Sequence, residues 1–189
     1  MFADCSSLKS LDLSNFKNNR ILHFSYVFYG CSNLTSLNIR NLNTSTLEDM
    51  KGTFEGCSSL KSLDISNFDT KKVYTMERMF YGCSSFTSSN ISNYRTRSVS
   101  NMNEMFCNCS SLLSIDLSKF DTRGIYYMKY FLYGCHKLTY IDISSFTFFR
   151  ECLLDNFFEK NISSGIIKLN CNIKSLIEQY LQNWDFQCI

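Results

Sequence analysis

The chain has 189 residues, an apolar share of 44% and a formal net charge of +2, which suits one domain with a packed core. Its 19 basic and 17 acidic residues are interspersed and supply no stripe of one sign for nucleic acid or an anionic membrane. No apolar run approaches the ~20 residues that cross a bilayer, and the opening MFADCSSLKS lacks the charged-then-apolar order of a secretory signal.

The first residues introduce a pattern that governs most of the chain. Cys5, Cys31, Cys57, Cys83, Cys109 and Cys135 recur every 26 residues without a gap, so six of the ten cysteines mark a repeat before they mark a disulfide framework. Other columns share the phase. Three residues before each Cys lie Phe2, Phe28, Phe54, Phe80, Phe106 and Leu132; three after it lie Leu8, Leu34, Leu60, Phe86, Leu112 and Leu138. An aromatic column follows at Phe16, Leu42, Phe68, Tyr94, Phe120 and Phe146.

Within a unit the hydrophobic period changes. Leu11 and Leu13, Leu37 and Ile39, Leu63 and Ile65 alternate with polar residues, the period-2 signature of a short strand. Further on, Val73, Met76, Met79 and Phe80 fall at helical spacing, which predicts a two- to three-turn helix in each unit. Thr44, Thr70, Thr96 and Thr122 stand where they would cap such helices. Gly30, Gly56, Gly82 and Gly134 stand where a left-handed residue would close them, with Asp4 and Asn108 as the tolerated exceptions. Gly52 falls inside the expected second helix at a cost of roughly 1 kcal/mol relative to Ala, and Ser89 replaces a core Leu or Ile.

A strand, a turn and a helix cannot bury their apolar sides alone, so successive units should stack. Helices are wider than strands, and the expected stack therefore curves with its sheet on the concave face. The outward positions of that sheet are polar in every unit: Ser10 to Tyr140 in one column, then Asp12, Asn38, Asp64, Asn90, Asp116 and Asp142, then a column in which Arg40 stands among serines. Aspartates stacked ~5 Å apart would repel by nearly 1 kcal/mol even in water; alternation with Asn38 and Asn90 leaves only Asp116 and Asp142 adjacent.

After Phe146 the pattern weakens, yet Leu154, Phe157, Phe158, Ile167 and Leu169 keep the phase of a seventh unit. Residues 172–184 then read as an amphipathic helix with Ile173, Leu176, Ile177, Tyr180, Leu181 and Trp184 inward. Cys171 and Cys188 flank it and are either free or bridged, depending on the environment.

Units such as Met79-Phe-Tyr-Gly-Cys-Ser-Ser-Phe followed by Asn90-Ile-Ser-Asn, together with Gly56-Cys-Ser-Ser-Leu-Lys-Ser-Leu-Asp-Ile-Ser-Asn-Phe-Asp-Thr70, resemble the BspA-like leucine-rich repeat family of surface proteins. The resemblance covers about residues 1–146 and implies an α/β leucine-rich-repeat solenoid: a parallel β-sheet on the concave face, short helices on the convex face and, here, a C-terminal helical cap. Residues 1–146 would form six repeats, and 147–189 a degenerate seventh plus the cap. The family's usual role implies adhesion or recognition at a cell surface, with no catalytic residues to carry over. Two departures stand out. Phe16, Phe68 and Phe120 occupy the slot of the common asparagine ladder, and Met1 falls in the repeat's own Met column, as in a fragment of a longer protein.

The buried-looking Cys column lacks the paired spacing of metal sites, and His23 and His136 lie in different phases. The expected role is a non-catalytic module without cofactor or metal, binding a protein or glycan but not nucleic acid, and not inserting in a membrane. The candidate partner-binding residues are Asp12, Asn38, Arg40, Asp64, Asn90, Asp116, Tyr140 and Asp142. The alternative is an intracellular scaffold of the same fold, which fits Met1 as the true start. Eight tyrosines from Tyr26 to Tyr133 offer a second surface on the opposite side.

Overall fold

The computed structural model describes residues 1–17, 20–91, 93–148, 152–158, 164–181 and 183–189. Each 26-residue unit contributes one short strand: β1 (Ser10–Asp12), β2 (Ser36–Asn38), β3 (Ser62–Asp64), β4 (Ser88–Asn90), β5 (Ser114–Asp116) and β6 (Tyr140–Ile143), followed by β7 (Gly165–Leu169). Leu63, Ile115 and Ile141 turn into the core while their polar neighbours face out.

Paired strands run parallel with repeat-matched register: Leu11 lies against Leu37, Leu63 against Ser89, Ile115 against Ile141 and Ile141 against Ile167. The ladder falls into three parts, β1-β2, β3-β4, and a four-stranded part in which β5, β6 and β7 are followed by a last strand, β8 (Trp184–Cys188). Threonine placement explains the pairing inside each part. The Lys9 carbonyl accepts both the Thr35 N–H (2.9 Å) and its hydroxyl (3.0 Å). Lys61 and Leu113 receive Thr87 and Thr139 in the same way. Thr occupies this column in every second unit, which matches the pairs β1-β2, β3-β4 and β5-β6; β7 extends the last pair without a Thr, Ile166 N donating to the Thr139 carbonyl at 2.9 Å.

On the other side of each unit the expected helices are absent from the described residues. Met76, Arg78, Phe80 and Gly82 instead donate their N–H groups to Asn101, Asn103, Met105 and Cys107 of the next unit, at 2.8–2.9 Å. Isolated parallel bridges join His23 to Asp49, Asp49 to Thr75, Thr75 to Asn101, Asn101 to Tyr127 and Tyr127 to Leu153. A left-handed residue interrupts every run at Tyr26, Gly52, Arg78, Glu104, Tyr130 and Asn156. The segment is therefore a series of tight turns that return to the core every three or four residues. That return has the same apolar spacing as a helix, which is why the periodicity misleads. Without helices the premise for a curved stack also fails, because both sides of a unit are spaced by backbone hydrogen bonds. The two surfaces are accordingly termed the strand face and the turn face.

The threonine and glycine assignments change with the helices. Thr70 and Thr96 are buried and reach across to the next unit. The Thr96 hydroxyl accepts the Asp121 N–H at 2.7 Å and donates to the Asp121 carbonyl at 3.0 Å. Thr70 does the same to Arg95, and Thr122 to Thr147. They are staples between units, not helix caps. Gly52 lies at φ +55° beneath Tyr26, whose ring atoms would stand 2.3 and 2.5 Å from an added Cβ, so a side chain here would force that ring to move; the glycine suits the turn rather than weakening a helix.

Between the two faces the columns form one core. Phe2, Phe28, Phe54, Phe80 and Phe106 stack with ring centroids 5.4–5.7 Å apart. The Cys column is equally regular. Cys31, Cys57, Cys83, Cys109 and Cys135 each donate the thiol to the carbonyl of the Phe 29 residues earlier, at 3.0–3.2 Å. Burial pushes the Cys57 thiol up to about 12 and those of Cys83 and Cys109 well above the ordinary range. These are structural thiols.

The C-terminal segment differs from its expectation. After β7 the chain makes a 3-10 turn at Cys171–Ile173, a single helical turn α1 (Lys174–Ile177) and a second 3-10 turn at Glu178–Tyr180. Ile173, Ile177, Leu181 and Trp184 are buried as expected, but Leu176 is 44% exposed and Tyr180 only partly covered. Trp184 does not end a helix: it begins strand β8 (Trp184–Cys188), which pairs in parallel with β7. The free edge of β7 offers a full row of backbone partners, and that outweighs the helical preference of a short segment.

Candidate ligand-binding face

Seven of the eight candidate residues lie on the strand face, but not as one site; the eighth, Asn90, has its backbone in β4. The acidic column has a local structural use. Just after each strand the chain must leave the ladder, and a side-chain oxygen two residues back can accept the freed N–H. Asp12 Oδ1 accepts from Ser14 N at 2.8 Å, Asp64 from Ser66 at 3.1 Å, Asp116 from Ser118 at 2.9 Å and Asp142 from Ser144 at 3.1 Å. Asn38 faces Arg40 N in the same manner at 3.5 Å. Hydrogen bonds from the side chains of Ser14, Ser66 and Ser118, and then from these backbone N–H groups, hold the Asp12, Asp64 and Asp116 carboxyls below the usual carboxylate range. The column therefore shapes the turn that ends each strand.

Register settles how the charges meet. Asp12 lies beside Asn38, and Asp64 is in register with residue 90; the side chain of Asn90 lies outside the described residues. Asp116 and Asp142 are adjacent, as the spacing demands, and Lys168 of β7 follows Asp142 in the same row. Its positive charge also contributes to the lowered Asp116 carboxyl. Tyr140 belongs to this end, with its hydroxyl 3.4 Å from Asp142 and the Lys168 ammonium 5.8 Å from its ring centre.

Asn38, Arg40 and Asp64 meet at a different place. Among the described residues no ladder pairing joins β2 to β3. A cleft of about 340 Å³ lies there, lined by Thr35, Ser36, Asn38, Arg40, Ser62 and Asp64, with Leu37 and Leu63 at its floor. Arg40 spans the break through a 2.7 Å ion pair to Asp64, and the two side chains remain 66% and 38% exposed. Such an exposed pair adds little to stability. It leaves a guanidinium, a carboxylate, an amide and several hydroxyls converging on one opening.

A ladder that sequence reasoning missed runs along the edge of the strand face. The Asn41 amide donates to the Ser14 carbonyl at 2.9 Å, Asn67 to that of Arg40 and Asn93 to that of Ser66. Asn15, Asn41, Asn67 and Asn93 stand in one column immediately before the aromatic residues, and that regularity was the available signal. The asparagine ladder is thus displaced by one position beside the aromatic spine formed by buried Phe68, Tyr94, Phe120 and Phe146.

The turn face is more self-satisfied. Lys51 pairs with Glu77 (3.0 Å), Arg78 with Glu55 (2.7 Å) and Lys129 with Asp155 (2.6 Å). The Arg78 guanidinium lies 4.2 Å from the centre of the Tyr81 ring. Tyr26 and Tyr29 meet edge to face, as do Tyr130 and Tyr133. Burial raises the Glu55 carboxyl despite the opposing pull of Arg78. Among the described residues no group of three His, Cys, Asp or Glu is placed to hold a metal ion, and no helix is long and apolar enough to cross a membrane.

Comparison with known proteins adds one finding. A family model described as "Mycoplasma protein of unknown function, DUF285" matches residues 1–114 and 82–179. No curated protein matches the chain.

Proposed function

We propose a binding role from one premise: the chain belongs to the DUF285 family, whose function is unknown. The protein is read as a leucine-rich-repeat-like solenoid of the BspA type. It acts as a non-catalytic recognition module for a protein or glycan, displayed at a cell surface. The observation that carries this reading is the β2–β3 cleft. Hydroxyls from Thr35, Ser36 and Ser62, the Asn38 amide and the Arg40–Asp64 pair surround an opening of about 340 Å³. Polar groups of mixed donor and acceptor type over an apolar floor suit a polyhydroxylated or amide-bearing ligand.

The test is binding of the intact chain to arrays of glycans and of extracellular-matrix proteins, run beside Arg40→Ala and Ser62→Trp. Arg40→Ala removes the bridging cation, and Ser62→Trp fills the cleft from an exposed strand position. Circular dichroism and the melting temperature verify that both variants stay folded. Ligands retained by the native chain and lost in both variants support the reading. Ligands retained undiminished in both variants place binding elsewhere, with the turn-face tyrosines next in line. No retained ligand on either array would count against surface recognition and favour an intracellular scaffold.

A further inference from the structure

The cysteines divide sharply into two kinds. Five thiols of the repeat column are buried, each donating to a carbonyl of the preceding unit. Their partners are backbone oxygens, and stacked side chains pointing the same way make poor disulfide partners. At the C-terminal end the situation reverses. Cys171 and Cys188 are both exposed and free. Strand register brings them together: Cys188 lies beside Leu169 on β7, Ile189 N donates to the Leu169 carbonyl at 3.1 Å, and Cys171 follows Leu169 by two residues. The proximity of Cys171 raises the Cys188 thiol above its ordinary value, against a weaker opposing pull from the Lys174 ammonium.

We propose that Cys171 and Cys188 form a redox-controlled disulfide that locks the terminal strand β8 onto β7 and so closes the C-terminal end of the stack. The oxidant class is a small-molecule disulfide such as oxidised glutathione. One thiolate attacks the glutathione disulfide and releases one glutathione as thiolate. The second Cys thiolate then attacks the protein sulfur of the mixed disulfide and releases the other. Two protein thiols lose two protons and two electrons, and one glutathione disulfide becomes two glutathiones. The neighbouring Cys171 holds the Cys188 thiol above its ordinary value and Lys174 opposes this only in part, so the exchange is fastest at alkaline pH, where more of the thiol is ionised.

The strand gains most from such a clasp because it has one neighbour only. β8 is the last strand in its sheet order, and its outward residues Asp185 and Gln187 are exposed while Trp184 anchors its start. Reduced, the strand is free to fray from its C-terminal end. Oxidised, it is tied at both ends, by Trp184 packing and by the bridge.

The experiment uses the full chain with Cys5→Ser, which removes the other exposed thiol and any dimer formed through it. Protein treated under native conditions with oxidised glutathione is blocked with iodoacetamide, digested with trypsin without reduction and read by mass spectrometry. The expected result is a species in which Leu169–Lys174 is joined to Ser175–Ile189, lighter by about 2 Da than the sum of the two peptides. Limited chymotrypsin digestion before denaturation should cut after Phe186 at least tenfold more slowly in oxidised protein, and a reductant should restore the rate. A Cys188→Ser variant should carry glutathione on Cys171 and show no redox-dependent protection. Recovery of the two peptides unlinked, each carrying glutathione or the alkylating group, would overturn the proposal. So would a linked pair without any change in cleavage, since the bridge would then exist without fastening the strand.

Discussion

Thr96 separates two physical accounts of the same sequence column. As a helix cap it would be improved or unchanged by Asp, which ranks with the best capping residues. As an inter-unit staple it both accepts the Asp121 N–H at 2.7 Å and donates to the Asp121 carbonyl at 3.0 Å, from a side chain only 1% exposed. Thr96→Val keeps the shape and removes both bonds, leaving a donor and an acceptor without their partner. Each orphaned buried group costs about 1–3 kcal/mol, and Asp121 is itself only partly buried, so the loss should be about 2–4 kcal/mol. In a domain of this size that corresponds to a fall of roughly 4–16 °C in melting temperature. Thr96→Asp should be at least as damaging, because a buried carboxylate accepts from Asp121 N but repels its carbonyl oxygen. Thr96→Ser keeps the hydroxyl and should lose little. Urea unfolding of the three variants measures this ordering, and a Thr96→Asp protein as stable as the native chain would refute the staple.

Gly52→Ala should destabilise by about 1–3 kcal/mol through a left-handed residue and the clash with the Tyr26 ring, measurable by thermal melting; a gain in stability would restore the helical reading of that unit. With a thiol reagent at pH 8, native protein should modify Cys5, Cys171 and Cys188 quickly while Cys57, Cys83 and Cys109 react only on unfolding. Comparable rates for the two sets would contradict the thiol ladder. Two carboxylates should give opposite pH slopes. Asp116 is depressed, so its contribution is present above its ordinary value of 3.8 and is lost as pH falls through its lower folded value. Glu55 is raised, so its contribution is complete below 4.5 and is lost as pH rises through its higher folded value. Stability against pH for Asp116→Asn and Glu55→Gln should therefore diverge from the native curve on opposite sides of about pH 4, and divergence on one side alone would contradict the assignment.

Much of the architecture was legible because burial enforces it column by column. Leu63, Ile115 and Ile141 must face inward for a strand of three residues to have an inside, and the polar alternation around them admits one register only. The helices were not legible because turns and helices share a spacing. Val73, Met76, Met79 and Phe80 reach the core at intervals of three or four residues in either case, and the deciding fact is that Arg78 N bonds to Asn103 of the next unit. No local pattern reports a partner 25 residues away. Gly52 held the clue: a glycine where a helix would resist one, in a column whose other members, Arg78, Glu104 and Tyr130, are also left-handed.

The candidate site was legible as a surface and not as a place. Asp12, Asp64 and Asp116 share a face, but their bonds to Ser14, Ser66 and Ser118 give them a local duty that composition does not reveal. The cleft arises from a break in pairing between β2 and β3, and the pairs on either side of it are those in which Thr35 and Thr87, like Thr139 further on, bond backward to Lys9, Lys61 and Leu113. A period of two units hides beneath a period of one.

Direct superposition of units along one axis is best measured by pulsed electron spin resonance. The exposed cysteines would be replaced by Ser, and spin labels introduced in pairs at the exposed strand positions Ser10 with Ser88, and Ser10 with Ser114. Stacking at ~4.8 Å per unit predicts backbone separations of ~14 Å and ~19 Å, an increase of one strand spacing for each unit added. Separations that do not grow with the number of intervening units, or that spread over tens of ångströms, would contradict it.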